Sequence, residues 1–98
     1  MNLNKTDIYN LWTKGEGAAD TLIHSMEEMG ELTQALSKML RDSVPFNDGL
    51  FFELIGEMAD VYICLAMLQS IFSISDTKMQ AVCDAKMILN LDRIGIHK

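Results

Sequence analysis

Apolar residues recur at helical spacing over most of the chain, and few stretches show the period of two that a half-buried strand needs. The pattern predicts four helices and an all-α fold. Thr6 or Asp7 can cap a short first helix that ends near Gly15 and Gly17. A long second helix begins at Asp20 or a neighbour and runs to about Arg41. "RDSVPFNDG" is the clearest loop, with Pro45 and the Asn47-Asp48-Gly49 cluster as breakers. A third helix spans about Leu50 to Phe72. "SISD" then supplies a turn, and Ser75 or Asp76 starts a fourth helix that reaches about Arg93, with Gly95 as its stop.

The second helix is amphipathic. At about 100° per residue, Leu22, Met26, Met29, Leu32, Leu36 and Leu40 share one broad face. Glu27, Glu28 and Glu31 lie beside it, with Glu28 at the edge where burial begins. The third helix is apolar almost all round, through Leu50, Leu54, Val61, Leu65 and Leu68 on one side and Phe52, Ile55, Ala59, Ile63 and Ala66 on much of the rest. Such a helix is buried on several sides, and one protomer of this size can hardly cover it. The expectation is a homo-oligomer, a dimer or a tetramer. Within this apolar helix Glu53, Glu57 and Asp60 form a narrow acidic stripe.

Composition narrows the reading. Ninety-eight residues allow one modest core, so residues 1–98 are read as a single domain. An apolar fraction of 49% argues against disorder. A net charge of −6 argues against binding a nucleic-acid polymer through its backbone, yet bound cations still permit a nucleotide ligand. The longest apolar stretch, Met58 to Ile74, carries Asp60 and Gln69 and is short for a membrane span. Cys64 and Cys83 have no metal or redox spacing. Two reduced thiols and no signal-like N-terminus point to the cytoplasm.

Two helices thus each carry an acidic pair spaced three apart, Glu28 with Glu31 and Glu57 with Asp60. Packed together, four carboxylates would repel one another and resist burial. A hard divalent cation, Mg²⁺ or Mn²⁺, removes that conflict. A di-iron site would want Glu-x-x-His on paired helices, and neither His24 nor His97 has that spacing.

"EEMGEL" followed by "EMADV" resembles the MazG-like nucleotide pyrophosphohydrolases of the all-α NTP pyrophosphatase superfamily. The chain matches their EExxE, spacer, ExxD pattern at Glu27, Glu28, Glu31, Glu57 and Asp60, with 25 residues between Glu31 and Glu57. The likeness extends over roughly Trp12 to Arg93. It implies a four-helix protomer within an oligomeric helical bundle. It also implies that Glu28, Glu31, Glu57 and Asp60 ligate Mg²⁺, while Glu27 orients water or supports the ligands. Glu53 has no place in the pattern.

The resemblance also implies a basic element in the last helix, met here by Lys86, Asn90 and Arg93 within an arc of about 60°. A cation and an amide on one stripe suit phosphate oxygens, although Lys and Arg also complement a helix C-terminus. Trp12 either stacks on a base, as an aromatic often does in relatives, or packs the first helix. Lys38 is a candidate phosphate contact, and Asp20 either an N-cap or a base or sugar contact. His24, one turn before Glu28, is either a hydrogen-bond partner of that carboxylate or a surface residue. The implied reaction is Mg²⁺-dependent hydrolysis of a (deoxy)nucleoside triphosphate to the monophosphate and pyrophosphate, with Glu27 or Glu31 accepting the proton of the attacking water. Alternatives are a dUTPase- or dCTPase-like enzyme, a phosphoribosyl-ATP pyrophosphohydrolase, or a catalytically silent helical interaction protein.

Overall fold

The computed structural model describes residues 2–42 and 48–96. They form four helices and, among the described residues, no strand: α1 Lys5–Thr13, α2 Gly17–Asp42, α3 Asp48–Ile71 and α4 Asp76–Arg93. The centre of the expected first loop, including Pro45 and Asn47, lies outside the described residues, as does His97. Asp48 and Gly49 are helical rather than part of that loop.

The termini of α1 and α4 and the start of α2 have local causes. Asn4, not Thr6 or Asp7, caps α1, its side chain accepting from the Asp7 N–H at 3.0 Å. An Asn cap satisfies one of the orphan N–H groups of the first turn. In the connector, a Cβ at Gly15 would collide with the Leu11 carbonyl oxygen, and Gly17 has a φ of +83°. That left-handed residue opens α2 three positions before Asp20. Asp20 therefore sits in the first turn, where its charge complements the helix dipole, and is not the cap. Ser75 caps α4 by accepting from the Lys78 N–H at 3.0 Å. Gly95, at a φ of +80°, closes it, with the Ile96 N–H reaching back to the Leu91 carbonyl.

α3 is the central element, and α1 and α2 pack against it and against each other. Ile8, Cys64 and Met67 form a small buried core, with Leu3, Trp12, Ile63 and Ala66 around it. The α2 residues turned inward are Thr21, Ser25, Glu28, Leu32, Ala35 and Met39, at alternating steps of four and three. This corrects the expected face. Of that face only Leu22 and Leu32 are half-buried; Met26, Met29, Leu36 and Leu40 are exposed, Leu40 at 87%. The buried stripe is the one with small side chains, which lets α3 approach closely. Its hydroxyls find partners within their own helix: Thr21 donates to the Gly17 carbonyl at 2.7 Å and Ser25 to the Thr21 carbonyl at 2.8 Å.

α4 comes within helix-packing distance of none of the other three helices and buries no residue. The consequence shows in the dimensions. The radius of gyration is 16.3 Å, against about 13 Å for a compact chain of this length. The accessible surface is 7399 Å², against about 5,600 Å² for a folded monomer of this mass. No described helix is long and apolar enough to cross a membrane.

Candidate metal centre

The heptad-like steps of α2 turn Glu28 into the α2/α3 seam, and Glu31 follows one turn later at its rim. From α3, Glu57 enters the same seam. Carboxylate oxygens of Glu28, Glu31 and Glu57 lie within 4.8 Å of one another. Asp60 stands at the exposed edge, close enough for its charge to act on both Glu28 and Glu57. The two helices thus bring together the four carboxylates that the sequence singles out, three of them tightly.

The electrostatics of this cluster are unfavourable as it stands. Burial pushes the Glu28 carboxyl above its ordinary value, and the charges of Glu31 and Asp60 push it further. Of the groups acting on it, His24 alone pulls it down. Burial likewise raises Glu57, and Glu31, Asp60 and Glu28 add to the shift. One oxygen of each, Glu28 Oε2 and Glu57 Oε2, is buried without a hydrogen-bond partner. Buried polar atoms are nearly always satisfied, and an orphan points to an ion or water at the site.

The donor set fits a hard cation. Three oxygens no more than 4.8 Å apart leave a point about 2.8 Å or less from all of them. Ca²⁺ binds oxygen at 2.3–2.6 Å and Mg²⁺ at 2.0–2.1 Å, so a Mg²⁺ ion requires the side chains to draw in by at most about 0.7 Å. Glu28 and Glu57 would supply their orphaned oxygens, with Glu31 and Asp60 completing the protein side and water or phosphate the rest.

The neighbourhood contains groups that the spacing could not order. His24 Nε2 lies 3.3 Å from Glu28 Oε1, and His24 Nδ1 lies 4.0 Å from Glu16 Oε1. The side of His24 toward Glu28 is thus engaged, while its side chain remains 41% exposed. Glu16 escaped the sequence reading because it sits in the turn between α1 and α2, where no periodicity applies. A cavity of roughly 220 Å³ opens beside the cluster, bounded by Leu11, Glu16, His24, Asp60, Ile63 and Met67.

Other expected site residues are placed elsewhere. Trp12 is half-buried against the core, its indole N–H donating to Ser70 Oγ at 2.9 Å and its ring edge-on to Tyr9. That geometry packs α1 against α3. Lys38 donates to Glu53 Oε1 at 3.0 Å, a bridge between α2 and α3. Glu27 is exposed on α2. Lys86, Asn90 and Arg93 are exposed on α4, which does not approach α2 or α3 of its own chain. A Cβ added at Gly30 would meet nothing within 4 Å.

Comparison of the chain with protein-family models, with curated proteins and with solved structures yields no match. What defines the class is therefore the architecture itself: an all-α chain whose two longest helices enclose a cluster of acidic side chains.

Proposed function

We propose that the chain is a MazG-like, Mg²⁺-dependent nucleoside triphosphate pyrophosphohydrolase that works as a homo-oligomer in the cytoplasm. The observation that carries this reading is the pair of buried, unpartnered oxygens on Glu28 and Glu57, two carboxylates that share the α2/α3 seam with others of like charge. A cluster like this is costly unless a cation occupies it, and the residues that form it are those of the EExxE and ExxD motifs.

Glu28, Glu31, Glu57 and Asp60 hold the cation. Bound there, Mg²⁺ supplies charge neutralisation and lowers the pKa of a coordinated water. Glu27 or Glu31 accepts the proton as water oxygen forms its bond to the α-phosphorus. The bond from that phosphorus to the bridging oxygen breaks, and pyrophosphate leaves with the monophosphate retained. Lys86 and Arg93 bind phosphate oxygens. The cavity beside His24 and Glu16 is of a size for one ring of the nucleoside. Trp12 is left to packing.

The test is pyrophosphate release from a panel of canonical and modified (deoxy)nucleoside triphosphates, with Mg²⁺ and with chelator. Release from at least one substrate, dependent on Mg²⁺ and abolished by Glu57→Gln, is expected. Silence across the panel, or full activity of Glu57→Gln, overturns the reading and leaves the helical interaction protein in its place.

A further inference from the structure

Of the four carboxylates in the seam, Glu28 has an imidazole beside it. His24 Nε2 lies 3.3 Å from Glu28 Oε1, from one helical turn earlier on α2. The second oxygen of that carboxylate, Oε2, is buried and without a partner. We propose that His24 is a positioning residue, which holds Oε1 of Glu28 so that Oε2 is presented to the cation as a preset ligand atom. The inference rests on the cation reading of the seam and not on turnover.

Helix geometry brings the two side chains together. Side chains on an α-helix lean toward its N-terminus, so each covers the turn before its own. Glu28 therefore leans toward His24 at i−4 and away from Leu32 at i+4. The other ring nitrogen, Nδ1, faces Glu16 at 4.0 Å, beyond a direct hydrogen bond. Glu16 sits in the connector, where the left-handed Gly17 and the crowded Gly15 set the path of the chain. An imidazole offers an N–H on Nε2 both in its charged form and in the matching neutral tautomer. The shorter of the two distances points that donor at Glu28.

The neighbouring acids do not supply such a donor. The charges of Glu31 and Asp60 push the Glu28 carboxyl up, and His24 acts in the opposite sense. Every group acting on Glu57 pushes its carboxyl up, with no counterpart of His24 among them. The two orphaned oxygens are thus unequal: the one on Glu28 belongs to a carboxylate with a basic neighbour.

A histidine beside a ligand carboxylate acts in one of two ways, and they differ in sign. A positioning histidine leaves the ligand oxygen free and strengthens cation binding, because the carboxylate is already oriented. A competing histidine occupies the carboxylate until the cation displaces it, and so weakens binding. The geometry points to the first. His24 approaches Oε1 from the partly exposed rim, and the orphaned atom is the other oxygen.

Mn²⁺ binding reads this sign without turnover. The electron paramagnetic resonance of free Mn²⁺, titrated against the protein at fixed pH and ionic strength, gives Kd. His24→Leu fills similar space without a donor and should raise Kd about tenfold, the lower end of the range for losing an outer partner of a metal ligand. His24→Gln, whose amide N–H reaches the place of Nε2, should stay within about threefold of wild type. Circular dichroism in chelator should be the same for all three proteins, and His24→Ala replaces His24→Leu should the latter lose helix. Unchanged or tighter binding by the donorless variant overturns the positioning role, as do equal losses in it and in His24→Gln. If the wild type binds no Mn²⁺, the cation reading falls and takes this role with it. Binding that shows the expected order without pyrophosphate release supports the role while the enzymatic reading fails.

Discussion

Loading the carboxylate cluster with Mg²⁺ or Mn²⁺ should stabilise the folded chain by an amount far beyond general salt effects. The seam holds two orphaned oxygens, and carboxylate oxygens of Glu28, Glu31 and Glu57 lie within 4.8 Å of one another, a set that exists only when α2 and α3 are packed, so the ion binds the folded state. A ligand at one hundred times its Kd then contributes about 2.7 kcal/mol. For a chain of 98 residues, each kcal/mol moves Tm by about 4–8 °C, so the expected rise is about 10–20 °C. The assay is calorimetry at fixed protomer concentration, comparing chelator, Mn²⁺, and NaCl matched in ionic strength, because simple screening also relieves repulsion between carboxylates. Glu57→Gln is the companion variant. It removes one like charge and one ligand, so it should raise the Tm in chelator and abolish most of the response to Mn²⁺. Equal shifts with Mn²⁺ and NaCl, or an undiminished Mn²⁺ response in Glu57→Gln, would refute the argument that this seam is a cation site.

Three further outcomes follow from the geometry. Trp12→Phe removes the indole bond to Ser70 and should cost about 0.5–1.5 kcal/mol; in a cycle with Ser70→Ala, followed by urea denaturation and circular dichroism, strictly additive losses would show that the bond contributes nothing. Because that variant keeps the ring, KM should be unchanged if Trp12 only packs. Gly30→Ala and Gly56→Ala place a methyl in open space within a helix and should each add about 0.5–1 kcal/mol; a loss at Gly30 would instead mark contact with another copy. The third outcome concerns pH. Asp76 is held below its ordinary value of 3.8 by hydrogen bonds from Lys5 and Gln69 and by the Lys5 charge. A depressed carboxyl contributes stability above its unfolded pKa and loses it as pH falls through the folded one. The Tm advantage of wild type over Lys5→Ala should therefore be present at neutral pH and shrink as pH drops below about 3.8; an advantage that persists there contradicts the pairing.

Local chemistry was legible in the chain to the extent that its causes are local. Four helices, the Ser75 cap and the Gly95 stop follow from side chains acting on their own backbone. The pairing of Glu28 and Glu31 with Glu57 was readable because a helix turns spacing into direction, and two such pairs joined by a short connection have few ways to avoid meeting. Glu16 and the 3.3 Å approach of His24 to Glu28 depend on the path of the turn at residues 14–16, which no repeat pattern encodes. Trp12 offers an indole that can stack or donate, and the partner of its N–H, Ser70, lies 58 residues along the chain, beyond the reach of any spacing pattern.

The face of α2 marks the boundary most clearly. Hydrophobic periodicity identifies a stripe that will leave water, and Leu22, Met26, Met29, Leu36 and Leu40 form one. Periodicity does not say which neighbour removes it. In the folded chain α3 takes the adjacent stripe of Thr21, Ser25, Ala35 and Met39, where small side chains allow close approach and the hydroxyls bond within their own helix. The greasier stripe remains uncovered, as does α4. The sequence by itself determined the helices, the Ser75 and Gly95 ends of α4 and the acidic pairs, because those depend on residues a few positions apart. Which stripe packs inward, and that α4 leaves its own body, only the tertiary structure decided, because both depend on competition among surfaces far apart in the chain.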